Sequence, residues 1–149
     1  FRRQAENVFD DDYEFDLGKA DLLRDGSDVT LIASGVCVAN ALQAAETLAQ
    51  EGVSARVLNI HTIKPIDADA VIKAASETGA LVTAENHNVI GGLGSAVAEV
   101  LAEQRPTPLE RVGVKDHFGQ VGKAPYLMGV FGITAADIAK AARKAIARK

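Results

Sequence analysis

The sequence holds one cysteine, one methionine, no tryptophan and few aromatic residues, 5% in all. A lone thiol, Cys37, excludes an intrachain disulfide and fits a reducing compartment. No apolar run approaches the roughly 20 residues of a membrane helix, and no charged-then-apolar start marks a secretory leader. A soluble, cytoplasmic protein is expected. Nor does one sign of charge dominate: 16 Lys and Arg stand against 20 Asp and Glu, spread along the chain, for a net charge of −4. That distribution leaves no footprint for nucleic acid. The first residue is Phe rather than Met, so a piece of a longer chain is expected.

What the sequence does have is apolar periodicity. With 48% of its 149 residues hydrophobic, the chain suffices for one core and is short for two. Residues 1–16, FRRQAENVFDDDYEFD, keep no period and cluster acid at Asp10, Asp11 and Asp12, which predicts a linker or surface arm ahead of a domain over 17–149. Phe1, Phe9 and Phe15 give that arm a need for a surface to lie on, and Tyr13, Phe15 and Leu17 suit a short edge strand.

DVTLIAS at 28–34, SARVLNI at 54–60, ALVTAE at 80–85 and LERVGV at 109–114 are β-rich runs. Between them the period turns helical. Val38, Ala41, Leu42, Ala45, Leu48 and Ala49 share one face of a helix that Gly52 stops. Asp67 is placed to cap a helix over about 68–78 that ends at Gly79, with Ile66 packing on Val71 as a hydrophobic staple. Leu93, Val97, Val100 and Leu101 line a third helix, leaving Ser95, Glu99 and Glu103 for water or a partner. KDHFGQVGKAP at 115–125 is a glycine-bearing loop before a short helix near YLMGVFG. The last helix has Thr134 and Asp137 at its cap and third positions and Ile138, Ala141, Ala142, Ala145 and Ile146 inward. Arg143, Lys144, Arg148 and Lys149 suit its carboxyl-terminal dipole. Apolar strands alternating with helices predict a three-layer α/β/α fold around a mostly parallel sheet.

LVTAENHNVIGGLGSAVAEVLAE at 81–103 poses the functional question. Its glycines follow a strand, as in a dinucleotide fingerprint. Gly92 and Gly94 match the first two glycines, but Val97 stands where a third small residue belongs, and Glu85–Asn88 lengthen the turn. The competing reading is a structural turn in which Gly91, Gly92 and Gly94 let helix and sheet approach closely. The helix amides still offer a place to an anion or to another chain's carboxylate. His61, His87 and His117 each follow a strand, so a parallel sheet puts all three at its carboxyl-terminal edge, where open α/β folds bind ligands. Only Glu85 and His87 are local to each other, too few for a metal site. Ser34-Gly35 lacks the context of a nucleophile elbow; Cys37 reads as a core thiol and His61 as a loop histidine satisfied by backbone. In GVKDHFGQVG, Lys115 and Asp116 either pair across the turn while Phe118 plugs the core, or the loop is an interface with Phe118 as apolar anchor and Asp116 as charged positioner. No complete catalytic set emerges, and no catalytic, cofactor-binding or metal residue is assigned.

Four stretches in order, FDLGKADLLRDGSDVTLIASG at 15–35, IKPID at 63–67, LVTAENHNVIGGLGSAVAEVL at 81–101 and VGVKDHFGQVGKAPYLMGVFGIT at 112–134, resemble the carboxyl-terminal domain of transketolases, especially those made as two subunits. More distant similarity extends to 1-deoxyxylulose-5-phosphate synthase and to the β subunits of 2-oxo-acid dehydrogenase E1 components. The resemblance, spanning 13–149, implies a five-stranded mixed sheet with one antiparallel strand, for which YEFDLG is a candidate source. It implies an enzyme dependent on thiamine diphosphate and Mg²⁺ that moves a two-carbon ketol unit between sugar phosphates. It further implies that both cofactors are held by preceding domains or a companion amino-terminal subunit, none by this chain. The complete enzyme would be a homodimer or heterotetramer, the arm would leave a pyrimidine-binding middle domain, and the isolated chain would be inactive. In that setting Glu85, His87, Asp116, His117 and Phe118 are candidates for contacts to other domains or for support near the channel mouth. The alternatives are an E1 β domain whose surface binds an acyltransferase core, the synthase domain, or a free-standing small-molecule or nucleotide-binding module.

Overall fold

The computed structural model describes residues 7–149. Strands β2 (Val29–Ala33), β3 (Ala55–Asn59), β4 (Leu81–Asn88) and β5 (Leu109–Val114) form where Val, Leu and Ile concentrate. They run parallel in the order β3-β2-β4-β5, and β1 (Asp21–Arg24) adds antiparallel to the free side of β3. All of β2 and the first five residues of β4 are buried, as a sheet covered on both faces requires. Helices α1 (Cys37–Gln50) and α5 (Ala135–Ile146) pack on one face around Leu31, Val57 and Val82. Helices α2 (Ala68–Thr78) and α3 (Leu93–Gln104) pack on the other around Ile32, Leu58 and Leu81. The three-layer α/β/α architecture is therefore as expected, and the short α4 (Ala124–Phe131) lies outside it with no buried residue.

Local chemistry fixes the helix ends. Asp67 accepts from the Ala70 amide at 3.1 Å, Gly79 closes α2 in the left-handed region, and Ile66 joins the cluster that holds Val71. Thr134 and Asp137 form a reciprocal capping box on α5. Helix α1 buries Ala44, while Ala49, expected inside, is exposed. Its inward stripe follows Cys37, Ala41, Ala44 and Leu48, which puts Ala49 just past the edge.

The fifth strand is Asp21–Arg24 and not Tyr13–Gly18. Gly18 adopts φ +82° and the Lys19 amide donates to Asp16 O at 3.1 Å, a turn that ends the extended run before pairing begins. Beyond that turn Asp21 pairs with Asn59 and Leu22 with Leu58. The arm nevertheless finds a surface. Phe9 is half-buried against Tyr13 with ring centroids 4.0 Å apart, and Phe15 packs on His61 at 4.4 Å. Phe1 lies outside the described residues.

Candidate functional site

The glycine-rich turn begins later than its sequence suggests. β4 continues through Asn88, which pairs with Val114, and the register jumps between Ala84 and Asn88, so Glu85–Asn88 are strand with an irregularity and not loop. Glu85 is only 2% exposed. Its Oε2 accepts from the Leu93 amide and its Oε1 from the Gly94 amide, each at 2.8 Å. The carboxylate thus fills the amino terminus of α3, the position an anion would take. This corrects the expectation that Glu85 faces another domain: the carboxylate on those amides comes from the chain itself.

The glycines make room for that carboxylate. A β carbon on Gly92 would collide with Glu85 Oε2 and lie 2.7 Å from Asn88 O. One on Gly94 would lie 2.8 Å from Thr83 Oγ1 and 2.9 Å from Arg111 Cδ. Gly91, at φ +77°, instead turns the chain. Its amide donates to Ser95 Oγ at 2.9 Å, and that hydroxyl donates to Val89 O at 3.0 Å. Arg111 Nη1 also donates to Val89 O, at 3.1 Å. Arg111 was not singled out from the sequence, and Ser95, left there for water or a partner, is instead bonded within the turn.

The other candidates stay on the surface. His87 is exposed and donates from Nδ1 to Asn88 O at 3.1 Å, so it shares nothing with the inward Glu85. Lys115, Asp116 and His117 are exposed, and Asp116 adopts φ +50°, a conformation that aspartate tolerates better than most side chains. Phe118 is 100% exposed, which overturns the core-plug reading. Val121 is equally free, and Ile63, Ile90, Tyr126 and Val130 add apolar surface in the segments that follow β3, β4 and β5. Among the described residues no three His, Cys, Asp or Glu side chains gather as they would around a metal.

Two further groups complete the picture. Cys37 is fully buried at the start of α1; burial, with the Glu85 charge behind it, pushes its thiol up to about 11, so the nucleophilic thiolate is suppressed. His61 is not satisfied by backbone. Its Nδ1 lies 2.7 Å from Thr62 Oγ1, and its buried Nε2 has no hydrogen-bond partner.

Residues 18–138 match the family described as transketolase, C-terminal domain. This chain belongs to that family. Its likeness to individual transketolase-family proteins is close. It is 56% identical, over 99% of its length, to the 6-deoxy-6-sulfo-D-fructose transketolase subunit SqwH of Clostridium sp. (strain MSTE9), of which it covers 46%. It is 41% identical over 91% of its length to the 1-deoxy-D-xylulose-5-phosphate synthase 1 of Geobacter sulfurreducens, covering 22% of that protein. A solved structure described as a split gene transketolase, inactive beta4 tetramer, superposes with a TM-score of 0.93 at 46% identity, over 96% of this chain and 47% of that one. The transketolase C-terminal chain thus spans less than half of these relatives, and its sheet of four parallel strands and one antiparallel strand is the one the family has.

Proposed function

We propose that this chain is the structural and assembly domain of a split, thiamine-diphosphate-dependent transketolase that transfers a two-carbon ketol unit between sugar phosphates in the cytoplasm. The observation that carries the reading is the match along 99% of the chain to a subunit of a transketolase. The geometry agrees with an assembly role. The helix mouth behind the glycine-rich turn holds Glu85, and among the described residues no carboxylate and imidazole groups converge to hold Mg²⁺. The residues present do not fit the cofactor, so its binding belongs to a preceding domain or companion subunit, and residues 1–16 are the connector toward it.

What this chain contributes is surface. Phe118 and Val121 stand free at the carboxyl-terminal edge, with Asp116 and His117 beside them and His87 on the neighbouring strand. An exposed aromatic flanked by charge is the composition of an interface anchor with a polar rim. The complete enzyme is a homodimer or heterotetramer in this reading. The test is to reconstitute the chain with its upstream domain or companion subunit, add thiamine diphosphate and Mg²⁺, and assay ketol transfer. Ketol transfer by the assembly and none by the isolated chain is expected. Decarboxylation of a 2-oxo acid with reduction of a lipoyl group would instead favour an E1 β domain, and condensation of pyruvate with an aldose phosphate a synthase.

A further inference from the structure

The widest cleft, about 790 Å³ beside β1 and α2, carries no anion site, because its Arg56 is already bracketed by Asp25 at 2.9 Å and by Glu77. The unmet need lies at the other end of the sheet. β5 is its last strand, and one side of β5 pairs with nothing among the described residues. Along a strand, alternate residues turn their backbone groups to one neighbour and the rest turn theirs the other way. Pro108 O and Val114 O accept from the Leu81 and Val89 amides, so the even-numbered residues face β4 while Leu109 and Arg111 face outward. Arg148, just beyond α5, confirms that direction by donating from Nη1 to Leu109 O at 3.1 Å. Among the described residues nothing meets the Leu109 amide or the outward amide and carbonyl of Arg111. An edge with open backbone groups is a template for a further strand.

Two grooves flank this edge, and Glu110, Arg111 and Lys115 line both. The groove on the α5 side, about 460 Å³, adds Lys140, Lys144 and Val130. The groove on the α3 side, about 480 Å³, adds Val89 and the exposed Ile90. In the first groove the carboxylates are already occupied: Glu110 is held by Lys144 at 2.9 Å and by Arg148, and Asp137 accepts from the Thr134 amide at 3.0 Å. Lys115 and Lys140 have no carboxylate partner among the described residues, so positive charge is left over there. The second groove is apolar beside β4, with Asp116 at its rim. Side chains of an added strand would point alternately into the two grooves, one set toward lysine and the other toward Val89 and Ile90. Lysines often only guard a sheet edge, but these line a groove into which an added side chain would project.

We propose that the free edge of β5 is a docking site for an extended segment of a partner protein in which acidic and apolar residues alternate, received as an added strand. Backbone bonds to Leu109 and Arg111 hold the segment, its carboxylates meet Lys115, Lys140 and Lys144, and its apolar side chains cover Val89 and Ile90. A second copy of β5 is the wrong occupant. Antiparallel pairing centred on Arg111 would set that residue opposite its own copy, and like charges directly opposite are destabilising. The charges that reject self-pairing are the ones that admit a carboxylate. The inference does not depend on the transketolase reading, since it rests only on the edge and its two grooves.

The probe is a capped heptapeptide of alternating Val and Glu, titrated into the intact chain at neutral pH and followed by amide NMR. Shifts are expected to concentrate at the Leu109 and Arg111 amides, and an alternating Val and Lys heptapeptide should bind about tenfold more weakly. Of two Val-Glu peptides, one N-methylated at every Val and the other at every Glu, one should lose binding and the other keep it, because only one set of amides faces β5. Lys140→Glu, a change at an exposed side chain, should weaken binding about threefold and leave the melting temperature unchanged. No shift at Arg111 with about 5 mM peptide, enough to fill a millimolar site, overturns the proposal. So do equal affinity for the Val-Lys peptide, equal effects of the two methylation patterns, and unchanged affinity in Lys140→Glu. Broadening of the Arg111 amide with protein concentration alone would put a second copy at the edge and overturn it as well. Ketol-transfer assays play no part in the outcome, so failure of this docking site and failure of the functional reading are separable.

Discussion

Glu85 is the residue on which the turn depends. Replacing it with Ala removes two charge-assisted hydrogen bonds and leaves the Leu93 and Gly94 amides buried without a partner. A loss of about 3 kcal/mol is expected, measurable as a lower urea midpoint with an unchanged slope. Glu85→Gln, which can still accept one of the two bonds, should lose less. From sequence, Glu85 was visible as a polar residue at the end of an apolar strand but not as a cap. The capping rules look for an acceptor just before the helix or in its first turn, and this one reaches α3 from 8 residues upstream. The same limit misled the reading of His61, placed at the sheet edge but taken as satisfied by backbone: Asp21, brought beside it by the pairing of β1 with β3, is distant in sequence. Phe118 was legible as exposed only as one of two alternatives, because an apolar residue between glycines has the same pattern whether it turns in or out.

At the level of elements, helix faces and caps were the most legible. Leu93, Val97, Val100 and Leu101 are all buried as their spacing requires, and the Thr134–Asp137 capping box closes as written. The edge strand was not, because Tyr13, Phe15 and Leu17 alternate as well as any β run and nothing local reveals the turn at Gly18. Edge pairing is decided by which segment reaches β3, a tertiary matter. Helix α5 carries a prediction of its own. Burial raises the Glu110 carboxyl, but hydrogen bonds from Lys144 and Arg148 outweigh it and hold the group below its ordinary value. The hydrogen bond from Arg143, with its charge, does the same for Glu51. Groups lowered in the folded chain stabilise it above the ordinary carboxylate value of about 4 and lose that contribution as pH falls through the folded value. Melting curves should therefore show α5 docking weaken below about pH 4, and Glu110→Gln should be less stable at neutral pH with a flatter acid limb.

For the whole molecule, the family was legible because four separated motifs occur in order, which no single glycine pattern could convey. The count of five strands and the presence of one antiparallel strand followed from that likeness, whereas the apolar pattern alone reached a three-layer, mostly parallel α/β fold; the strand order came from the structure. Assembly is where the whole-molecule prediction lies. Phe118→Asp removes a fully exposed ring and should leave the melting temperature of the isolated chain within about a degree, since an exposed side chain contributes little to folding. Sedimentation of the chain with the companion subunit proposed above should then show at least tenfold weaker association, the loss expected of an anchor residue. Unchanged association would remove Phe118 from the interface.

The filled mouth of α3 also bears on what this domain could become. In open α/β sheets the helix start beside a strand end is where ligands with negative charge are commonly received. Here the receptor and its guest are encoded in one chain, the guest tethered by a strand and admitted by a glycine that leaves it space. The domain is in effect permanently liganded, one side chain away from having a vacancy at the same address.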